Sequence, residues 1–419
     1  MKWRIRAMAG INALGDTVSA MREAWAQNRA PGMQRLSEGL RLTSGKTPFY
    51  GFAVGDLAPL SPETPREHMS RNNQLLWTGV ARDEDTWKGL LANVAPNRVA
   101  VVLGTSTSGS QEALAWVKGA NPAWAASPTP YALTTEPFSG WAQEMGDPAR
   151  FLARTLGLTG PAYVVSTACT SSARALISGA RLIEAGLVDA AIVGGVDTLA
   201  QMPLNGFDAL GVLATDLTQP LSRDRAGITI GEAMGLLWLE RAPDGASPSE
   251  GLYLLGWGES SDAYHMSSPD PEGRGVEVAL RHALAHTGLA PEAIDYVNLH
   301  GTGTRQNDSA ECQAIARVLG DKAWVSSTKA LTGHTLGAAG ITDALLTLGL
   351  LEAGGGVLPG QFDPVWGVKG VISPAGSVWD DTLAPVRYIE RPTTIAARVA
   401  VSTNVAFGGN NTALVFGRA

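Results

Sequence analysis

Two kinds of apolar pattern alternate along this chain. Arg98–Gly104 and Ala190–Gly195 are continuous apolar runs, the pattern of strands covered on both faces. Arg4–Ile11, Leu252–Trp257 and the shorter Asp295–Leu299 also read as strands. Between them, apolar residues recur at helical spacing in Thr17–Gln27, Gly275–His286 and Ala310–Leu319. Val399–Ser402 and Thr412–Phe416 close the chain as strands. Asp56–Trp87 is polar and irregular and predicts a partly helical stretch, and Gly360–Thr394 is loop-rich. Strand and helix in alternation predict an α/β layered fold. The turn-rich stretch Arg241–Gly251 is the clearest break. It divides the chain into two α/β halves of similar plan, residues 1–251 and 252–419, with no clean sequence repeat between them.

One junction carries candidate chemistry. Ala162–Val165 is β-prone, residues 166–172 are small and hydroxyl-bearing, and Ala173–Ile183 has helical periodicity. Cys169 therefore sits where a strand turns into a helix, and helix-end amides favour a thiolate there. The same position also suits a small buried core cysteine.

Three later clusters bear on that choice. His300 follows a short strand and opens a turn, His300-Gly301-Thr302-Gly303-Thr304. Lys329 and His334 flank a glycine- and alanine-rich segment, Lys329–Gly340, suited to close packing. Asn404–Asn411 places Phe407-Gly408-Gly409 in a glycine turn between two strands. Singly, each reads as a structural histidine, a surface lysine or a hairpin. Together, one cysteine and two histidines in small-residue loops suit an acyl-transfer site. His282 and His286 stand four apart on a predicted helix, but no carboxylate or cysteine joins them to make a metal set.

Composition narrows the class. Of 419 residues, 45% are hydrophobic and 17% charged, which describes a folded protein with a large core. A net charge of −7 without a long basic run argues against nucleic acid as partner. The two cysteines, Cys169 and Cys312, make no disulfide framework, and a cytoplasmic location is expected. The richest apolar stretch, Ala344–Leu351, is too short to span a bilayer.

These motifs resemble those of the β-ketoacyl-acyl-carrier-protein synthases, the condensing enzymes of the thiolase superfamily. The resemblance rests on Thr167–Ser172, His300–Thr304, Lys329–Gly340 and Asn404–Asn411, with Gly227–Gly235 and Ser260–Met266 in support. It implies a thiolase-like α-β-α-β-α sandwich. Cys169 would be the acyl-carrying nucleophile, and His300 and His334 would flank the malonyl thioester carbonyl. Lys329 and Glu311 would set the electrostatics and hydrogen bonding around the histidines, with Asp308 nearby. The backbone N–H groups of Cys169 and Phe407 would form the oxyanion hole, and Phe407 with Gly408 and Gly409 a gate. Thr302 and Thr304 would bind the phosphopantetheine arm, which arrives on the acyl carrier protein, so no resident cofactor and no metal are expected.

Met234 and Ala233 stand where many relatives carry Gly-Ala, and Asn410 where many carry Thr. The Cys-His-His set resembles elongating enzymes rather than the Cys-His-Asn type that starts chains from acyl-coenzyme A. Chain-length-factor relatives lack the cysteine. Val101–Gly109, Leu255–Ser261 and the compact N-terminus resemble synthases of aryl-polyene and related pigment pathways. Housekeeping type II fatty-acid elongation and a non-catalytic chain-length partner are the alternatives. The resemblance implies a dimer across an edge strand, a homodimer or a heterodimer with a chain-length-factor-like subunit.

Overall fold

Strand β2 (Val99–Gly104) is apolar throughout and β4 (Ala190–Asp197) is apolar up to its last residue; both are buried along their whole length. They lie inside a mixed sheet of the computed structural model, which describes residues 2–35, 40, 42–120, 143–242, 251–365, 367–368 and 378–418. The other strands are β1 (Trp3–Ile11), β3 (Ala162–Val165), β5 (Ala233–Arg241), β6 (Leu252–Ser261), β7 (Tyr296–Asn298), β8 (Trp324–Ser326), β9 (Arg387–Tyr388), β10 (Val399–Val405) and β11 (Asn410–Arg418). Their order is β9-β8-β7-β10-β11-β6-β1-β5-β4-β2-β3.

The order holds a repeat that the sequence hides. Reading β3-β2-β4-β5-β1 inward, the first two neighbour pairs are parallel and the next two antiparallel. Reading β8-β7-β10-β11-β6 inward gives the same pattern, with β9 added at the outer edge. The two halves meet where β1 pairs with β6 through Trp3↔Leu254, Arg4↔Tyr253 and Ile5↔Leu252. They thus form one hydrogen-bonded sheet rather than two separate ones. Most of the turn-rich break falls on residues 243–250, outside the described residues.

Among the helices are α1 (Arg71–Ala81), α2 (Asp147–Thr155), α3 (Ser171–Glu184), α4 (Gln201–Ala209), α5 (Arg274–Thr287), α6 (Arg305–Val318) and α7 (Ala339–Glu352), and others include Val18–Ala26. α1 and α2 cover one outer face, and α5 and α6 the other. Between the half-sheets lie α3 and α7, which complete the α-β-α-β-α layering. In α7 every residue but Glu352 is buried, because it packs on strands of both halves. Among the described residues, no helix is long and apolar enough to cross a membrane.

Close backbone approach brings α3 and α7 together at their N-terminal ends. A Cβ on Gly340 would lie 2.6 Å from Ala173 N, and one on Gly104 would lie 2.2 Å from Ser172 N. The topological repeat makes α3 and α7 equivalent crossovers, so the loops that precede them meet. Those loops carry Cys169 and His334.

Candidate active site

The turn that holds Cys169 runs from Ser166 to Thr170, between β3 and α3. Ala168 adopts φ +52°, a left-handed conformation that costs a residue with a Cβ about 1–2 kcal/mol. Hydroxyl groups offset that cost. Thr167 N–H donates to Ser171 Oγ at 2.9 Å, Ser171 Oγ to Ala168 O at 2.6 Å, and Thr170 Oγ1 to Thr167 O at 2.8 Å. The small, hydroxyl-rich turn therefore fixes the sulfur at the N-terminus of a 14-residue helix.

Three loops from the other half face it, at the C-terminal ends of β7, β8 and β10. His334 Nε2 lies 2.9 Å from Cys169 Sγ. The His300 and His334 rings meet edge to face with centroids 5.1 Å apart. One nitrogen of each ring and the sulfur all lie within 4.8 Å of one another, in a buried cluster. The 2.9 Å contact is a hydrogen-bond distance; two ligands of one zinc ion stand about 3.5 Å apart when tetrahedral bond lengths apply.

Burial and charge set the protonation states. Burial, with the nearby Lys329 cation, pushes His334 down to about 3 and His300 well below its usual value. Both imidazoles are therefore neutral at pH 7. Burial pushes the Cys169 thiol up to about 12, while Lys329 and the backbone N–H groups of Phe407 and Cys169 pull the other way.

Glu311 acts on the backbone rather than on an imidazole. Its carboxylate accepts the N–H of His300 at 2.7 Å, the N–H of Gly301 at 2.8 Å and the Thr403 hydroxyl at 2.5 Å. Burial still pushes it up to about 7. Lys329 is buried and pairs with Asp343 at 2.8 Å, and Asn404 Nδ2 donates to the same carboxylate at 3.1 Å. The sequence does not single out Asp343, and Thr403 and Asn404 stand there only at the edge of the glycine turn, with no role. The one available signal was a single carboxylate in the otherwise apolar Ala339–Leu351. Near Asp343, side-chain oxygens of Asn298, Ser402 and Asn404 are buried without a hydrogen-bond partner.

A cavity of about 240 Å³ opens on the cluster, and Phe207, Val212, Ile228, Thr302, Thr304 and Phe407 are among its lining residues. Thr302 Oγ1 and Thr304 Oγ1 lie 3.1 Å apart. Phe407 packs on Phe207 of α4 with centroids 5.9 Å apart. Gly408 and Gly409 follow with φ of +82° and +76°. The Ser260–Met266 segment tethers that turn: Gly408 N–H donates to Met266 O, and Asp262 N–H to Gly409 O, both at 2.8 Å. Gly227 N–H donates to Gly303 O at 3.0 Å, which ties the Gly227–Gly235 segment to the threonine turn. Met234, one of the departures, fits against Gly79 of α1, where any Cβ would lie 2.4 Å from its methyl carbon.

The remaining candidates lie elsewhere. Cys312 is buried in the core beneath α6. Among the described residues, the hydrogen bonds of His282 and His286 go to the backbone of β6, at 3.3 Å.

A cysteine and two histidines so arranged, on a thiolase-like fold, suit acyl transfer. Residues 88–245 match the N-terminal domain of the beta-ketoacyl synthases and residues 253–361 their C-terminal domain. The chain belongs to the beta-ketoacyl synthase family. It is 39% identical over 206 residues to 3-oxoacyl-[acyl-carrier-protein] synthase 2 of Vibrio cholerae, covering 46% of this chain and 50% of that protein. To nodulation protein E of Rhizobium meliloti it is 32% identical, covering 67% of this chain and 68% of that one. The chain spans about half the length of the first of these relatives. Among solved structures, the ketosynthase ApeO, in complex with its chain length factor ApeC from Xenorhabdus doucetiae, superposes with a TM-score of 0.89. That match is at 43% identity and covers 100% of this chain and 98% of ApeO.

Proposed function

We propose that this protein elongates acyl chains held on an acyl carrier protein, by decarboxylative Claisen condensation with malonyl-carrier protein. The observation that carries the reading is the buried contact of Cys169 Sγ with a neutral His334, beside a second neutral histidine.

Attack of Cys169 Sγ on the acyl thioester carbonyl forms a C–S bond and breaks the bond to the carrier sulfur, and the Cys169 proton passes to the departing carrier sulfur, which leaves as a thiol. The N–H groups of Cys169 and Phe407 stabilise the oxyanion in between. Malonyl-carrier protein then enters, with Thr302 and Thr304 holding its pantetheine arm. His300 and His334 donate hydrogen bonds to the malonyl thioester oxygen. The C–CO2 bond breaks, and its electron pair becomes an enolate. The enolate carbon attacks the acyl-Cys169 carbonyl, a C–C bond forms, and Cys169 leaves as thiolate.

The tautomer follows from hydrogen bonding. Nδ1 of both histidines is buried without a partner. A bare nitrogen acceptor costs less there than an orphaned N–H, so the proton belongs on Nε2, facing the reaction. A resident cofactor has no part in these steps.

We assign the nucleophile to the 1–251 half and the histidine pair to the 252–419 half. The product class is an aryl-polyene or related polyketide β-ketoacyl chain, and the second subunit a chain-length-factor-like protein or another copy. Similarity to 3-oxoacyl-[acyl-carrier-protein] synthase 2 supports fatty-acid elongation as the second reading. The presence of Cys169 weighs against a non-catalytic partner. Mass spectrometry of products formed from acyl- and malonyl-carrier protein tests the proposal. Wild type yields a β-ketoacyl chain two carbons longer and Cys169→Ala yields none; equal yields from both contradict it.

A further inference from the structure

Outside the reacting cluster, one buried charge network has no part in the chemistry above. Arg225 is 4% exposed and lies between two buried carboxylates, Asp308 of α6 and Asp380. Its Nη1 bonds Asp380 Oδ2 and the carbonyl of Ser222. Its Nε stands 3.7 Å from Asp308 Oδ2 and has no hydrogen-bond partner.

Asp308 is already engaged with backbone. Its Oδ2 accepts the N–H of Leu221 at 2.8 Å, and its Oδ1 the N–H of Gly303 at 3.2 Å. Gly303 separates the two threonines that line the cavity. Its φ of +77° makes the turn, and a Cβ there would meet Thr218 Oγ1 at 2.1 Å. Thr218 Oγ1 in turn donates to Thr302 O at 2.8 Å.

Asp380 is anchored from the far side. Its N–H donates to Leu221 O at 3.1 Å, and Arg223 N–H donates to Val378 O at 2.9 Å. Trp379 stacks on Tyr388 with centroids 4.4 Å apart at 10°. Asp380 Oδ1 caps Thr382 through its N–H at 3.0 Å and its hydroxyl at 2.6 Å. Only Oδ2 reaches Arg225.

We infer that Asp380 is a positioning residue for the substrate arm: by holding Arg225 off Asp308, it leaves Asp308 free to fix Gly303 and so sets the Thr302–Thr304 turn. Without the Asp380 charge, Arg225 has one carboxylate left and closes on Asp308. Asp308 Oδ2 then exchanges the Leu221 N–H for the guanidinium, and the carboxylate swings with it, drawing Oδ1 off Gly303 and loosening the turn. Charge-assisted bonds outcompete neutral ones in such an exchange. Leu221 strengthens the argument, because it holds φ +68° between Asp308 and Asp380. Both its peptide groups are clamped, one by each residue. The inference rests on the reading of Thr302 and Thr304 as pantetheine-binding.

Asp380→Asn tests it, since the amide oxygen can still cap Thr382 while the NH2 group turns to Arg225. Steady-state condensation should show KM for malonyl-carrier protein raised about five- to tenfold with kcat within about twofold, the size of one lost hydrogen bond. Iodoacetamide labelling of Cys169, which needs no arm, should keep the wild-type rate. Arg225→Lys, whose compact ammonium is not pinned to Asp380 by a guanidinium fork and can settle on Asp308, should show the same split and is decisive if Asp380→Asn does not fold. Unchanged KM in a folded variant overturns the inference, as does an equal loss of labelling and condensation. A wild-type protein that does not condense malonyl-carrier protein at all overturns the functional reading instead.

Discussion

His334 Nε2 and Cys169 Sγ, 2.9 Å apart, come from equivalent loops of the two halves, each leading into a central helix. The contact is a product of the topological repeat. It also fixes a pH dependence. His334 folds at about 3 because of burial and Lys329, against about 6.5 when unfolded. Between these values the unfolded chain binds a proton that the folded one does not. This contribution to stability is therefore complete above pH 6.5 and lost as pH falls towards 3. Denaturant unfolding of wild type and His334→Gln should converge on acidification, by about 2 kcal/mol between pH 6.5 and 5. A difference that stays constant over that range contradicts the neutral, buried assignment.

Lys329 and Asp343 form a buried pair, each about 1% exposed. Removing one partner strands the other charge, at a cost of about 3–5 kcal/mol. Lys329→Met should therefore unfold at much lower denaturant. The double variant Lys329→Met, Asp343→Leu should recover part of the loss. Additive losses would argue against the pair.

Glu311 holds the backbone that carries His300. Glu311→Ala leaves the N–H groups of His300 and Gly301 buried and unmet, costing about 1–3 kcal/mol for each. Condensation should fall with stability, while Glu311→Gln, which retains one acceptor, should lie between. Thermal unfolding and turnover measured on the same samples check the order.

The two gate glycines should respond differently. A Cβ on Gly408 meets only Asn410 Nδ2 at 3.5 Å, whereas one on Gly409 lies 3.0 Å from Asp262 Cβ. Gly408→Ala should cost about 1 kcal/mol, for its positive φ alone. Gly409→Ala should cost more and also disturb the Asp262 tether. Equal melting temperatures would remove the distinction.

Much of this was legible in the residues, and what was not has physical causes. β2 and β4 were read to within a residue or two of their ends, Arg98–Gly104 against Val99–Gly104 and Ala190–Gly195 against Ala190–Asp197, because no polar residue interrupts their interior. α6 was read from Ala310, yet it starts at Arg305, because its first turn, Arg-Gln-Asn-Asp, carries no apolar periodicity. β6 was read to Trp257, but Gly258–Ser261 continue it by pairing with β11. α1 falls in the polar stretch read as partly helical, but its bounds could not be placed there; Ser70 caps it by accepting Asn73 N–H at 3.2 Å. Cys169, His300, His334 and Lys329 could be read from their small-residue loops. The roles of Asp343, Thr403 and Asn404 could not, since hydrogen bonds to a distant lysine, glutamate or aspartate leave no local pattern.

The central claim is that Cys169 carries the acyl chain while the histidines serve only the malonyl step. The most direct measurement is intact-mass analysis of wild type, His300→Ala and Cys169→Ala after incubation with acyl-carrier protein, followed by addition of malonyl-carrier protein. The account predicts an acyl adduct on wild type and His300→Ala but not on Cys169→Ala. It further predicts that malonyl-carrier protein discharges the adduct from wild type alone. An adduct on Cys169→Ala, or discharge from His300→Ala at the wild-type rate, would contradict it.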